Sequence, residues 1–248
     1  MADCELDRRR RSFGAAADLY DSVRPGYPTD AVGWMLGQTA RDVVDLGAGT
    51  GIFSRIVASL GHRVTAIEPD PEMRAQLRAQ LATSDTISAL AGSAEAIPLP
   101  DRSTGAVVAA QSFHWFDNHD ARAEIARVLA DGGVFAPIWN VRDETEPWVA
   151  ELTGIIGGGT AADARVHARE GRQFGPLFRR AERAEFRHSV PMTSDTMLGV
   201  IRTRSRYLVA GEDERIEIER RVSDLVAGLP EPFELPYVAV AFRAEVLR

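Results

Sequence analysis

Cysteine occurs once in the 248 residues, at Cys4. A lone thiol excludes an intramolecular disulfide and a thiolate-rich zinc site, and it makes a reducing cytoplasm the expected compartment. Basic charge is also in deficit: 29 Lys and Arg stand against 36 Asp and Glu, a formal net charge of −7. Such a balance argues against a nucleic-acid partner, which needs a basic face, and favours a small molecule. No apolar run reaches the roughly 20 residues that cross a membrane, so no membrane partner is expected. No segment repeats at a fixed period. The arginine run 8–11 is followed by Asp18 and Asp21 where an export signal requires apolar residues, so export is not expected. What the chain does have is 45% hydrophobic residues, enough to fill the core of one α/β domain over residues 1–248.

Glycine is concentrated where it has consequences. Val43, Val44 and Leu46 form a short buried-strand pattern, and Ile52, Phe53, Ile56, Val57 and Leu60 recur on one helical face. Between them stand Gly47, Gly49 and Gly51, giving strand, tight turn and helix. Glycine permits positive φ and lets a ligand approach backbone closely, so a Cβ there is expected to take space reserved for ligand. A dinucleotide fingerprint needs a small residue three positions after Gly49; Ile52 stands there and disfavours a nicotinamide cofactor. The pattern Asp45-x-Gly47-x-Gly49-x-Gly51 instead resembles the first motif of the class I S-adenosylmethionine (SAM)-dependent methyltransferases. Residues 64–67 then read as a second strand that ends in Glu68. Nucleoside-binding α/β folds carry a carboxylate about 20 residues past the glycines to accept ribose hydroxyls. The alternative is that Glu68 caps the helix starting near Pro71, a task that Asp70, just before that proline, fills better.

The resemblance implies SAM as cofactor, S-adenosylhomocysteine as its product, no metal, and contacts from Asp45, Gly47, Ala48, Gly49, Gly51, Glu68 and Pro69. The helical spacing of Phe13, Ala16, Ala17 and Tyr20, running into 20–28, is similar to the amino-terminal arm of a small-molecule subgroup that folds over the cofactor. It implies Tyr20 and Arg24 at the methionine end, with Tyr27 beside them and toward the acceptor. Thr29 or Asp30 is expected to cap the next helix. After a third strand at 87–91, the loop 92–101 corresponds to the adenine cradle, with Ser93 and Ala94 as contacts. Ser93 replaces the usual aspartate, so its hydrogen bond lacks charge assistance. The fourth strand, 105–110, runs into Gln111-Ser-Phe-His-Trp-Phe116, which resembles the same subgroup, sometimes grouped with trans-aconitate-type methyltransferases. Gln111, His114 and Trp115 are assigned to face cofactor or acceptor, with His114 as the candidate proton acceptor. A structural imidazole is the alternative. Phe113 and Phe116 are assigned to packing.

A helix at 121–129 and the turn Asp131-Gly132-Gly133 lead to a fifth strand at 134–139. Pro137 lacks a donor, so the regular ladder is expected to stop there. Trp139 and Asn140 are placed on the acceptor cavity, with core packing the alternative for Trp139. Farther on, the sequence predicts helices at 148–156, 195–208 and 212–226, a strand at 184–190, and an antiparallel last strand at 233–242. Gly157, Gly158 and Gly159 form either a lid hinge or a slack connector. Arg202, Arg204 and Arg206 alternate along a helix, so they cannot form one tight anion clamp; solvent is their default, with one of them reaching an acidic acceptor as the alternative. The expected fold is α/β: a doubly wound, seven-stranded, mostly parallel, Rossmann-like sheet with a helical cap. Its parts are an arm (13–40), a cofactor core (41–140), a cap with carboxyl-terminal elements (142–230) and a last strand (231–248). The expected function is methyl transfer from SAM to a small-molecule acceptor. Alternatives are a non-catalytic SAM-binding protein and an NAD(P)-dependent oxidoreductase. The acceptor and the oligomeric state stay open.

Overall fold

Val43 and Val44 are adjacent and each is 1% exposed, yet they belong to different core clusters, because successive strand residues point to opposite faces of a sheet covered on both sides. A computed structural model describes residues 17–81, 84–156 and 173–248. The expectations for residues 13–16 and for the triple glycine at 157–159 lie outside the described residues.

Strands β1 (Asp42–Leu46), β2 (Arg63–Ile67), β3 (Ile87–Leu90), β4 (Thr104–Ala110) and β5 (Leu129–Arg142) run parallel. β7 (Phe233–Glu245) lies antiparallel between β5 and β6 (Glu182–Met192). The order across the sheet is β3-β2-β1-β4-β5-β7-β6. The chain winds outward from β1 to β3 and then returns to place β4 on the other side of β1. A crevice therefore opens beyond the carboxyl ends of β1 and β4, where doubly wound sheets bind ligands.

The helices are α1 (Ala17–Val23), α2 (Thr29–Leu36), α3 (Ile52–Ser59), α4 (Pro71–Gln80), α5 (His119–Val128), α6 (Pro147–Ile156), α7 (Ser194–Arg202), α8 (Ser205–Val209) and α9 (Glu212–Val226). On one sheet face Val43, Phe53, Val57, Val108 and Ile138 pack with α2. On the other, Leu46, Ile67, Phe113, Ile125 and Phe135 pack with α5. A third cluster gathers Val149, Leu152, Met197, Val200, Ile218 and Val222 from α6, α7 and α9 against Phe233, Leu235 and Tyr237 of β7. The helical cap thus has a core of its own, rooted in the strand it shares with the sheet.

Four local expectations are corrected. Pro137 does not end the ladder: it pairs with Ala109, and pairing with β7 resumes at Ile138 and Ala241 in the register set by Phe135 and Ala244. Asp131-Gly132-Gly133 is not a turn before the strand but a bulge within it, since Leu129 pairs with Thr104 and the next pair is Val134 with Ala106. Neither Thr29 nor Asp30 caps α2; Pro28 occupies that position and no side chain caps it. The helix expected at 195–208 is two helices, broken at Thr203-Arg204. Asp70 does cap α4, accepting from the Glu72 and Met73 amides at 2.9 and 3.0 Å.

Candidate active site

Gly47, Gly49 and Gly51 hold φ of +66°, +59° and +87° as β1 passes into α3. L-residues with a Cβ adopt such angles at a cost. The expected reason, ligand in place of Cβ, is corrected for two of them. A Cβ on Gly47 would lie 2.8 Å from the Cβ of Ser112, and one on Gly51 would lie 2.3 Å from a methyl of Leu77. Protein packing demands those glycines. At Gly49 the nearest atom is the Met73 methyl at 3.4 Å. The turn is pinned from β2: the Gly47 and Ala48 amides donate to the Ile67 carbonyl at 2.9 and 3.2 Å. Glu68, only 7% exposed, accepts the Gly49 amide at 2.8 Å through Oε2 and the Asp70 amide at 2.9 Å through Oε1. Its carboxylate therefore braces the glycine turn against the end of β2.

Beside the turn lies a cavity. Tyr20, Arg24, Pro25 and Tyr27 wall it from the arm; Asp45, Gly47, Ala48, Gly49 and Thr50 from the turn; Ile52 and Phe53 from α3; and Ala110, Gln111 and Asn140 from the ends of β4 and β5. The arm is tied down at several points. Asp21 pairs with Arg55 at 2.8 Å. Arg24 lies 4.6 Å over the Tyr20 ring and donates to the hydroxyl and carbonyl of Thr203 at 3.0 and 2.8 Å. Tyr27 meets the Phe53 ring edge-on at 4.9 Å, and burial, then Tyr20 and Asp45, holds its phenol well above the ordinary value.

Asp45 is the chemical centre of this cavity. It is fully buried, and Oδ2 accepts from the Ser54 hydroxyl at 2.6 Å. Oδ1 has no hydrogen-bond partner among the described residues. Burial pushes the carboxyl up to about 7, the Ser54 bond opposes the shift, and Glu68 adds to it. A buried carboxylate oxygen in a cavity wall is complementary to an ammonium group. SAM presents an ammonium, a carboxylate and a ribose diol. Asp45 and the Arg24 guanidinium, both on the cavity wall, match the first two; Glu68 is not on that wall and spends both oxygens on the Gly49 and Asp70 amides.

A second, smaller cavity shares Arg24, Pro25, Gln111 and Asn140 with the first and adds Arg142, Val200, Arg204 and Tyr237. Asn140 knits the junction. Its carbonyl accepts from Gln111 Nε2 at 2.9 Å, its Nδ2 donates to the Gly26 carbonyl at 2.9 Å, and its Oδ1 lies 3.0 Å from His188 Nε2. Gln111 is held at φ +54°, a strained value for this residue type, with its amide on the Ile138 carbonyl at 2.9 Å. Strain at the carboxyl end of a central strand is typical of a functional position.

Of the residues expected at the site, the structure brings Tyr20, Arg24, Tyr27, Asp45, Gly47, Ala48, Gly49, Gln111 and Asn140 onto the cavities. Gly51 faces Leu77 behind the turn. Pro69 is exposed, Ser93 bridges to Ala96, and the Ala94 side chain is 4% exposed within the core. His114 and Trp115 are not among the residues that line the two cavities. After Gln111 the chain turns back over the sheet, Ser112 anchors it by donating to the Leu46 carbonyl at 2.6 Å, and Phe113 enters the core. The His114 ring packs against Trp115 at 4.7 Å, and neither lines either cavity. Trp139 is corrected as well. It alternates with Asn140, so it faces the opposite layer, where it is fully buried between Phe113 and Phe242.

Sequence reasoning missed Pro25, Thr50, Ala110, Arg142, Val200 and Tyr237 as wall residues, and it left open which of Arg202, Arg204 and Arg206 turns inward. An arginine two positions past Asn140, in an otherwise apolar strand, was the one available signal. Nothing local marks Arg204, because no glycine or proline announces the break between α7 and α8.

A family model described as a methyltransferase domain matches residues 44–136, from the third residue of β1 through Glu68 to the middle of β5. An uncharacterised methyltransferase of Mycobacterium tuberculosis (strain ATCC 25618 / H37Rv) is 39% identical over 239 residues, covering 94% of this chain and 95% of the relative. An uncharacterised methyltransferase-like protein of Schizosaccharomyces pombe is 40% identical over 152 residues, 59% of this chain and 58% of its own. A solved structure from Anaeromyxobacter dehalogenans, described as a candidate type II methyltransferase, matches with a TM-score of 0.64 at 29% identity, over 90% of this chain and 97% of that one.

Proposed function

Because this chain belongs to the class I SAM-dependent methyltransferases and uses SAM as its cofactor, we propose that its methyl acceptor is a small molecule seated in the second cavity. The observation that carries this is the shared wall: Arg24, Pro25, Gln111 and Asn140 line both cavities, and the cap residues Val200 and Arg204 line the second. SAM supplies an electrophilic methyl group on sulfur. The chain's part is to bind, orient and exclude water.

In this reading Asp45 takes the ammonium of the cofactor, Arg24 its carboxylate and Glu68 its ribose hydroxyls, with Pro69, Ser93 and Ala94 at the open adenine end. The glycine turn sets the floor and Tyr20 and Tyr27 close the arm side. Gln111 and Asn140 stand on the wall that the two cavities share; with Gln111 Nε2 and the Asn140 amide held by protein partners, the Gln111 Oε1 is the atom left to orient the acceptor. Arg24, bonded to Thr203 of the cap, couples closure of the arm to closure of the cap.

The test is Val200→Phe, because Val200 lines the second cavity alone. The added ring is expected to cut turnover of a small-molecule acceptor, read as S-adenosylhomocysteine formation, by at least about tenfold. Affinity for S-adenosylhomocysteine should stay within about threefold, the ordinary scatter for a residue outside that contact. Unchanged turnover would remove the acceptor from this cavity. Methylation of a protein, with no small molecule turned over across a broad panel, would overturn the substrate class.

A further inference from the structure

We propose that His188, which lines neither cavity, is a positioning residue: by holding the Asn140 side-chain amide in one orientation, it docks the arm over the cofactor site. The inference rests on the reading that places the cofactor in the first cavity.

His188 and Asn140 project from different strands to one face of the sheet. Asn140 of β5 and Phe186 of β6 both lie opposite Ala239 of the intervening β7, and His188 lies opposite Tyr237, two positions along. Alternate strand residues share a face, so the imidazole and the amide stand on the same side. Ala239 puts only a methyl group between them. The imidazole reaches across it, and His188 Nε2 lies 3.0 Å from Asn140 Oδ1. The ring also stacks on Tyr237, with centroids 5.6 Å and planes 21° apart, which limits its rotation.

Chemistry fixes the direction of each bond in this chain. A carbonyl only accepts, so Asn140 turns its nitrogen to the Gly26 carbonyl, at 2.9 Å, and its oxygen to His188. An amide oxygen also only accepts, so Nε2 of His188 carries hydrogen. Burial holds His188 below the ordinary histidine value, which leaves the ring neutral near pH 7 with its one proton on Nε2. Gly26 in turn stands between Pro25 and Tyr27, and with Arg24 these two wall the first cavity. Asn140 is only 6% exposed. Without the imidazole donor its amide either rotates and sets oxygen against the Gly26 carbonyl, or stays in place with Oδ1 buried and unsatisfied. Both outcomes weaken the hold on the arm.

Two substitutions in the full chain separate this role from packing. His188→Phe keeps a flat ring on Tyr237 and removes the donor, whereas His188→Gln gives up the ring and sets an amide donor at about the reach of Nε2. Hydrogen exchange is followed in the cofactor-free chain at the Arg24 amide, which donates to the Tyr20 carbonyl at 3.1 Å within the arm. Affinity for S-adenosylhomocysteine is measured by calorimetry. In the Phe variant exchange is expected to quicken and affinity to fall, each by at least about fivefold, while the Gln variant stays within about twofold of wild type. Unchanged exchange in the Phe variant, or a Gln variant as impaired as Phe, overturns the proposal, leaves His188 a packing partner of Tyr237 and does not touch the cavity reading. Exchange that quickens while affinity holds keeps the hold of His188 on the arm and sinks the placement of the cofactor beneath it. Nitrogen NMR of the wild-type imidazole decides even where a variant fails to fold: the neutral Nε2–H form is expected at about pH 8, and the Nδ1–H form overturns the proposal.

Discussion

Replacing Asp45 by asparagine should move two properties in opposite directions. Its carboxyl is raised from the ordinary 3.8 to about 7 in the folded chain. At about 1.36 kcal/mol per pH unit, ionising it there costs roughly 4 kcal/mol relative to the unfolded chain. A raised folded value means that the stability contributed by the protonated group is fully present below about pH 4 and is lost as pH rises through 7. Asparagine cannot ionise, and its carbonyl can still accept from Ser54, so the ligand-free variant should match wild type near pH 4 and exceed it by up to about 4 kcal/mol at pH 8. Cofactor binding should respond the other way. Without the carboxylate the ammonium of SAM loses a charged hydrogen bond of about 1.5–3 kcal/mol, a weakening of roughly ten- to a hundredfold. Urea unfolding at the two pH values and calorimetry at pH 8 read the two effects separately. An Asp45→Asn chain no more stable than wild type at pH 8 would refute the buried, strained carboxylate. Unchanged SAM affinity would refute its role toward the ammonium.

Glu68→Ala should weaken SAM binding by at least about tenfold and also lower the melting temperature, because the carboxylate proposed to meet the ribose also braces Gly49 and Asp70; lost stability with unchanged affinity would reduce Glu68 to a brace. Gly47→Ala places a Cβ 2.8 Å from Ser112 at φ +66°, and should cost about 1–3 kcal/mol in a denaturant titration, partly restored by Ser112→Gly. A single variant as stable as wild type would refute that packing constraint. His114→Ala should leave turnover within about threefold, since the ring lines neither cavity; a much larger loss with cofactor affinity intact would return His114 to the acceptor as its base.

The legible part of the site was the part built from local geometry. A strand that ends in glycines, a second strand that ends in Glu68 and a proline preceded by Asp70 are each short patterns whose conformation follows from neighbouring residues, and Asp45 lies inside one of them. The errors came from residues whose direction depends on distant packing. The place of His114 just after β4 points it toward the site, whereas the left-handed Gln111 and the Ser112 bond to Leu46 set the direction of the chain that follows. Trp139 and Asn140 were assigned together, although adjacent strand residues cannot both face one cavity. Pro137 was read as a terminator because its missing donor is visible, while the neighbouring strands that carry the ladder past it are not.

By itself, then, the sequence determined the periodicities: buried strands alternating with amphipathic helices, the conformational freedom of the glycine turn, and an acid at the end of β2. Those features depend on contacts a few residues apart, so the chain states them locally. The tertiary structure decided which side chains share a cavity. Arg24, Arg142 and Arg204 lie 62 to 180 positions apart in the sequence, and no local rule joins them. Only the docking of the arm, the end of β5 and the broken cap helix brings three like charges together, since the hydrophobic burial that drives those elements into place is indifferent to the charges it carries along.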